Sequence, residues 1–386
     1  MSGLARSWRG ALGLVAVLLA AGACAPAAAP SAAPAAAKPA AGAAAPAAPT
    51  SAEAEWEQTV AAARREGKLV ISAPTGALWR QALQTFEEDY PGISLEQTAG
   101  NSRDFWPRLF QERQADHYLW DMRIGGPDPE VFAARDAGAL DPVRPLLVLP
   151  EVADESKWFG GWEGFYADRE KRYLASFIAS SSYNVYVNRD MIPESELWSD
   201  EQLTDARYRG KIVIQDPRGG AGLGTITVLL AVYGEQYVRD LLGKQEMAVT
   251  ADNRQQAEWL VRKRYPIGIG MRMDQVAMFE REGVPVNIQG LGTPRKFSLG
   301  SGGIQLVNRP PHPNAAKVFI NWLLTQQVQA RIAKMVEQNS RRVDVAPGDP
   351  NEALDPSRLA DYVPHQYEEL LPVRRQAQQL AAELVK

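Results

Sequence analysis

KLVISAPTG, residues 68–76, is the stretch on which the fold turns. Lys68 to Pro74 is a short, mostly apolar run with the character of a buried strand, and Thr75-Gly76 ends it. Upstream, EAEWEQTVAAARREG predicts a helix over Glu53–Glu66, stopped by Gly67. Downstream, ALWRQALQTFEEDYPG predicts an amphipathic helix with Leu78, Ala82, Leu83 and Phe86 on one face. ISLEQTAG then reads as a second strand ending at Gly100, SRDFWPRLFQERQ as a helix, and LWDMRIGG, residues 119–126, as a third strand. The chain therefore opens with a β-α-β-α-β unit, whose crossovers are right-handed and whose sheet is parallel. In such sheets a ligand is expected beyond the carboxyl ends of the strands.

A second unit follows. YLASFIASSSYNVYVNRDMI, residues 173–192, holds two strand-like runs flanking a serine cluster. KIVIQDPRGGAGLGTITVLLAVYG, residues 211–234, gives strand, glycine-rich loop and helix, and TADNRQQAEWLVRKRYPIGIGM gives helix and strand. DQVAMFEREG and PVNIQ add a short helix and a strand. HPNAAKVFINWLLTQQVQARIAKM reads as one long amphipathic helix with Phe319, Leu323, Ile332 and Met335 among its apolar positions. Alternating helices and strands predict an α/β fold.

The chain has 386 residues and a single cysteine, Cys24, which excludes an internal disulfide. Ahead of it lie Arg6, Arg9 and an eleven-residue apolar run, Ala11–Ala21, too short to span a bilayer and of the length of a signal peptide's apolar region. Gly22-Ala23-Cys24 resembles the cleavage site of a bacterial lipoprotein signal, in its permissive form because Ala21 stands where leucine is usual. The resemblance implies removal of residues 1–23 and a diacylglycerol on the Cys24 thiol. An ordinary secretory cleavage is the other reading. Residues 25–49 are almost wholly alanine and proline, with the one lysine Lys38, and cannot bury enough apolar surface to fold. They are expected to act as a semi-extended tether within residues 24–54. Of 42 basic and 46 acidic residues, two arginines fall in residues 1–23, so the mature chain carries a net charge of −6. That balance suits solubility and excludes a nucleic-acid footprint.

Several stretches resemble periplasmic solute-binding proteins of ABC importers, in the branch that includes ferric-ion binders. They are KLVISAPTG, FEEDYPGI, DMRIGGPDPEVFAARDAGAL, YRGKIVIQDP, HPNAAKVFINWLLTQQVQ and SRRVDV, together spanning nearly all of residues 66–345. The resemblance implies a two-lobed periplasmic-binding-protein fold of type II with crossing hinge strands. Residues 55–178 and 288–386 would form lobe one, and 179–287 lobe two. It also implies a monomer that captures a small-molecule solute between the lobes and delivers it to ABC permease and ATPase subunits, without catalysis, cofactor or resident metal. The branch also holds binders of polyamines, thiamine and phosphonates.

Iron-binding members place two adjacent tyrosines after the strand that here reads PIGIGM. This chain has Met271-Arg272-Met273 there, which argues against Fe(III) and for an anionic ligand group held by Arg272. A salt-bridged surface arginine is the other reading of Arg272. In the loop from Asp216 to Thr225, Arg218, Gly222 and Thr225 are candidate anion contacts at a helix N-terminus, and the alternative is a turn with packing glycines. Ser180, Ser181 and Ser182 stand at the entry to lobe two, where the resemblance implies contact with the ligand at the hinge and a solvated bend is as good a reading. Thr75 and Gly76, Ser102 and Arg103, and Gly125 and Gly126 are expected at strand ends facing the cleft. Two rival classes are a ferric-ion importer and a secreted hydrolase or sensory lipoprotein. No G-x-S-x-G, H-E-x-x-H or phosphate-loop motif supports an enzyme.

Overall fold

The computed structural model describes residues 51–292 and 294–385, so the expected signal, Cys24 and most of the tether lie outside the described residues. The chain enters through helix α1 (Ser51–Glu66), strand β1 (Lys68–Ala73), helices α2 (Ala77–Gln84) and α3 (Phe86–Asp89), β2 (Ser94–Ala99), α4 (Ser102–Gln114), β3 (Met122–Ile124) and α5 (Pro129–Asp136). β4 (Leu140–Asp141), α6 (Pro150–Ala153), α7 (Gly161–Phe165) and β5 (Ala175–Ser176) follow. Next come β6 (Ser180–Tyr183), β7 (Val185–Asn188), β8 (Ile212–Gln215), α8 (Gly220–Lys244), β9 (Ala248–Thr250), α9 (Asn253–Val261), β10 (Ile267–Ile269), α10 (Met273–Arg281) and β11 (Ile288–Gly290). β12 (Arg295–Ser298), β13 (Gly303–Val307), α11 (Pro313–Leu324), α12 (Gln326–Val336), β14 (Tyr362–Val363) and α13 (Leu371–Leu384) complete it.

Two sheets organise these elements. The first runs β2-β1-β3-β13-β4, with β5 also on β13. Its β1 is parallel to β2 and β3, in the register Ile71 against Gln97 and Met122. The second runs β11-β7-β10-β8-β9, with β10 parallel to β8 and antiparallel to β7. Each has its own core: Leu69, Ile71, Met122, Phe319 and Leu323 under the first, and Val185, Ile212, Ile226, Leu241 and Ile267 under the second. The short third sheet, β14-β12-β6, joins them. β6 leads into β7 of the second sheet, β12 leads to β13 of the first, and the two pair antiparallel with Lys296 opposite Ser182. Two strands thus cross side by side between the sheets.

Five expectations change. Trp79, not Leu78, faces the core: Leu78 is 51% exposed and Trp79 is 6% exposed. The long helix after His312 is two helices, because Thr325 is extended and its hydroxyl accepts from the Val328 amide, starting α12 anew. α8 kinks at Gly234, whose φ of +83° only glycine adopts freely, and continues where a stop was expected. Finally, the last helix, expected with lobe one, lays Ala377, Leu380 and Ala381 against the Val238, Leu241 and Leu242 face of α8. An i, i+3, i+4 stripe of small and apolar residues needs such a partner, and α8 offers one. Arg239–Glu383 at 2.9 Å ties the two helices at their rim. β11, also expected in lobe one, pairs with β7 of the second sheet.

Candidate functional site

At the first sheet, β1 ends in Pro74-Thr75-Gly76, and Thr75 and Gly76 are exposed. Gly76, at φ +118°, turns the chain into α2 without a side-chain cap. Beside it is a recess of about 360 Å³ lined by Ala73, Pro74, Gly76, Arg80, Gln97 and Ala99. Ser102 is buried at the head of α4 and its hydroxyl faces Asp128, whereas Arg103 points outward toward Glu130 at 3.8 Å. Gly125 and Gly126 permit close packing. A Cβ on Gly125 would lie 2.2 Å from the Arg123 guanidinium, and one on Gly126 would lie 2.2 Å from the Gly300 carbonyl oxygen.

At the second sheet, β8 runs through Asp216–Gly219 into α8. The amide of Gly222 donates to the Gln215 side chain at 2.9 Å, so that side chain occupies part of the helix head. A Cβ at Gly222 would overlap the Gln215 carbonyl oxygen at 2.3 Å, which accounts for glycine there by packing. Arg218 closes a fork on Asp216, with Nε and Nη2 each 2.8 Å from a carboxylate oxygen. Arg272, at the start of α10, does the same with Asp274 at 3.0 and 3.1 Å. Two of the three cations expected to meet the ligand, Arg218 and Arg272, therefore already hold a carboxylate two residues away, and the third, Arg103, lies toward Glu130. The salt-bridged reading of Arg272 describes its geometry, with its side chain 56% exposed.

Thr225 is fully buried, and it marks the point where the crossing strands meet α8. Its hydroxyl lies 3.0 Å from Nζ of Lys296, on β12. Lys296 is 5% exposed, and burial pushes its ammonium down to about 8, with only a partial offset from Glu352. Glu352, in the turn Pro350–Glu352 against β6, is itself pushed up by burial and by Asp349. Lys296, the Ser180 hydroxyl and Arg272 pull it back down. Ser181 is buried with its hydroxyl on the Ala353 carbonyl at 3.3 Å, and Ser182 stands opposite Lys296 in the strand pair. His365 closes the back of the cluster. Its Nδ1 lies 3.1 Å from the Phe297 carbonyl oxygen, and a Cβ on Gly224 would lie 3.0 Å from its Nε2. Burial, with Lys296 and Arg374 nearby, pushes the imidazole down to about 3.

The structure thus gathers Thr225 and Ser182 around Lys296, and links Arg272 to them through Glu352. Thr75, Gly76, Ser102 and Arg103 stand at the strand ends of the other sheet. Sequence reasoning missed Lys296 and Glu352. A lysine between two bulky residues in PRKFSLG was the available signal for the first, and nothing in PNEAL marks the second.

No helix among the described residues is long and apolar enough to cross a membrane. The sequence matches the family described as bacterial extracellular solute-binding protein over residues 71–330. An uncharacterised Haemophilus influenzae protein is 22% identical over 307 residues, covering 77% of this chain and 84% of its own. Among solved structures, iron-bound HitA from Pseudomonas aeruginosa is 17% identical with a TM-score of 0.59, covering 83% of this chain and 99% of HitA. Pasteurella haemolytica apo ferric ion-binding protein A is 14% identical with a TM-score of 0.62, over 82% and 98% of the respective chains. The Trichodesmium protein FutA, in complex with iron and citrate, is 15% identical with a TM-score of 0.62, over 83% and 99%. These likenesses carry the two-lobed periplasmic-binding-protein fold. A family match across two thirds of the chain, on that fold, makes this protein a member of the bacterial extracellular solute-binding proteins, which capture solutes without converting them.

Proposed function

We propose that the chain is the capture component of an ABC importer, taking a small polar solute with an anionic group into the cleft between two α/β lobes. β6 and β12 serve as the hinge, and closure presents the loaded shape to a permease driven by an ATPase subunit. The lobes are assigned as 55–178 with the segment from β12 to Leu370, and 184–292 with α13. The chain works as a monomer, held to the outer face of the membrane by a lipid on Cys24 and the tether that follows.

The observation that carries the anionic reading is Lys296. It is a buried ammonium with a hydroxyl partner and no carboxylate within ion-pair distance among the described residues, set where the crossing strands meet the head of α8. A buried cation is costly unless paired, and an anionic ligand would pair it. The amides of Gly220 and Ala221, the first residues of α8, add donors directed to the same end of that helix. Against a ferric ligand stands the end of β10, where Met271 is buried and Arg272 is held by Asp274. Titration calorimetry of the purified protein and of Lys296→Met with small carboxylates and phosphonates tests the proposal. The parent binds at least one of them, and the variant loses that binding.

A further inference from the structure

Another recess, of about 650 Å³, is lined by Arg144, Glu163, Arg169, Glu170, Lys171 and Arg172, none of them among the residues described above. Two segments build it. One is a hairpin bridged at Tyr166 and Ala175, inside which the Ala167 amide donates to the Leu174 carbonyl at 2.9 Å. Asp168, fully buried, pins its turn. Its Oδ2 accepts from the Arg172 amide at 3.0 Å, and its Oδ1 from the Tyr173 and Leu174 amides at 3.1 and 2.8 Å. Lys171 is held there at φ +55°, a region that residues other than glycine seldom take. The second segment is the turn Arg144–Leu146, fastened to the hairpin by the Val143 amide, which donates to the Arg172 carbonyl at 2.8 Å.

Arg144, Arg169 and Arg172 are exposed, and none makes an ion pair within 4 Å among the described residues. Arginines elsewhere on the surface, such as Arg209, Arg254 and Arg262, each hold a carboxylate. Arg144 lies 5.1 Å over the Trp162 ring and Arg172 5.7 Å over the Tyr173 ring, so stacking supports both guanidinium groups and leaves their N–H edges free. Lys171 differs, being paired with Glu369 at 3.4 Å. We propose that this recess is a binding site for a phosphate group, gripped by Arg144, Arg169 and Arg172. Guanidinium forks match the spacing of phosphate oxygens, and three of them around one recess suit a dianion. A soluble phosphate ester and an anionic lipid headgroup share that chemistry. The site does not rest on the cleft reading above.

The test uses the whole chain carrying Cys24→Ser and Lys296→Met, so that neither an acyl chain nor the cleft lysine contributes. The probes are inorganic phosphate and glycerol 1-phosphate in calorimetric titration. Vesicles of equal parts phosphatidylcholine and phosphatidylglycerol are compared with pure phosphatidylcholine vesicles in cosedimentation. The chain should bind a soluble phosphate saturably, or the anionic vesicles in preference to the neutral ones, and the arm that responds names the source. Arg144→Ala with Arg172→Ala should weaken that binding about tenfold or more. Arg169→Gln should weaken it with the melting temperature kept, because the Arg169 side chain makes no hydrogen bond or ion pair among the described residues. Arg209→Ala with Arg262→Ala removes the same charge elsewhere and should leave the binding unchanged. Binding that survives in the recess variants, that falls equally in the control pair, or that is absent with every probe overturns the site and leaves the cleft reading standing.

Discussion

The Lys296 ammonium reaches the Thr225 hydroxyl at 3.0 Å, joining a strand that crosses between the sheets to the first turns of α8. Both residues are buried, so the contact is shielded from solvent. It links β12, which we propose as part of the hinge, to α8 and to the charge that the proposed ligand would meet.

Replacing Lys296 with methionine removes that charge while roughly keeping the side chain's length. Loss of a charge-assisted contact of about 1.5–3 kcal/mol predicts anion binding weaker by about one to two orders of magnitude. In the parent, affinity for an anion should fall as pH rises past about 8, where Lys296 loses its proton. Lys296→Arg should show no such fall. Stability moves the other way. The folded-state value lies below the ordinary 10.5, so the unfolded chain holds more protons between about 8 and 10.5, and the parent's stability gains from this group across that window. Melting temperatures of parent and Lys296→Met from pH 7 to 10 check the sign.

Arg272 predicts a smaller effect. Its fork is satisfied by Asp274, so Arg272→Ala should weaken anion binding less than Lys296→Met does. Asp274→Asn, which frees the guanidinium, should strengthen anion binding a few-fold. Parallel titrations of the three variants give the order, and a larger loss at Arg272 than at Lys296 would shift the binding centre to α10.

Asp200 is fully buried beside Asn184, at the junction of β6 and β7. Asn184 also holds the Pro294 carbonyl just before β12, at 2.7 Å. Oδ1 of Asp200 and Oδ1 of Asn184 are both buried acceptors without a donor. Burial pushes the Asp200 carboxyl up to about 8 from an ordinary 3.8. The folded state therefore holds the extra proton between those values, and its stability falls as pH rises through that range. Asp200→Asn supplies a donor and cannot ionise. It should raise stability at pH 7 by about 1–3 kcal/mol, with the gain vanishing near pH 4 in denaturant melts.

Cys24→Ser should release the protein from the membrane fraction into the soluble envelope fraction. Retention in the membrane after the substitution would end the lipid reading of residues 22–24.

Much of this architecture is legible in the residues, and the failures have physical causes. The β-α-β-α-β opening is carried by apolar runs whose period is set by burial, so β1, β2 and α4 fall where the pattern puts them. The choice between Leu78 and Trp79 depends on how α2 is rotated against its neighbours, which a short helix does not encode. β12 lies within GLGTPRKFSLGSGG, where glycine and proline mask a strand that is paired on both sides. Thr225 could be found from its place after the glycine loop. Lys296 and Glu352 could not, because they lie 71 and 127 residues further on and meet Thr225 and Arg272 only through the crossing strands. The glycines at 125, 126 and 222 are legible as special, but packing and ligand approach ask for the same residue, and only coordinates separate them.

The central claim is that a small anion-bearing solute is captured against Lys296 and Thr225. A thermal-shift screen of the purified parent and Lys296→Met, against small carboxylates, phosphonates, sulfonates, polyamines and ferric citrate, tests it most directly, since a bound ligand raises the melting temperature by mass action. The account predicts a rise with at least one small organic anion in the parent, and none with that anion in the variant. A parent unmoved by every organic anion and stabilised by ferric citrate or a polyamine would contradict it.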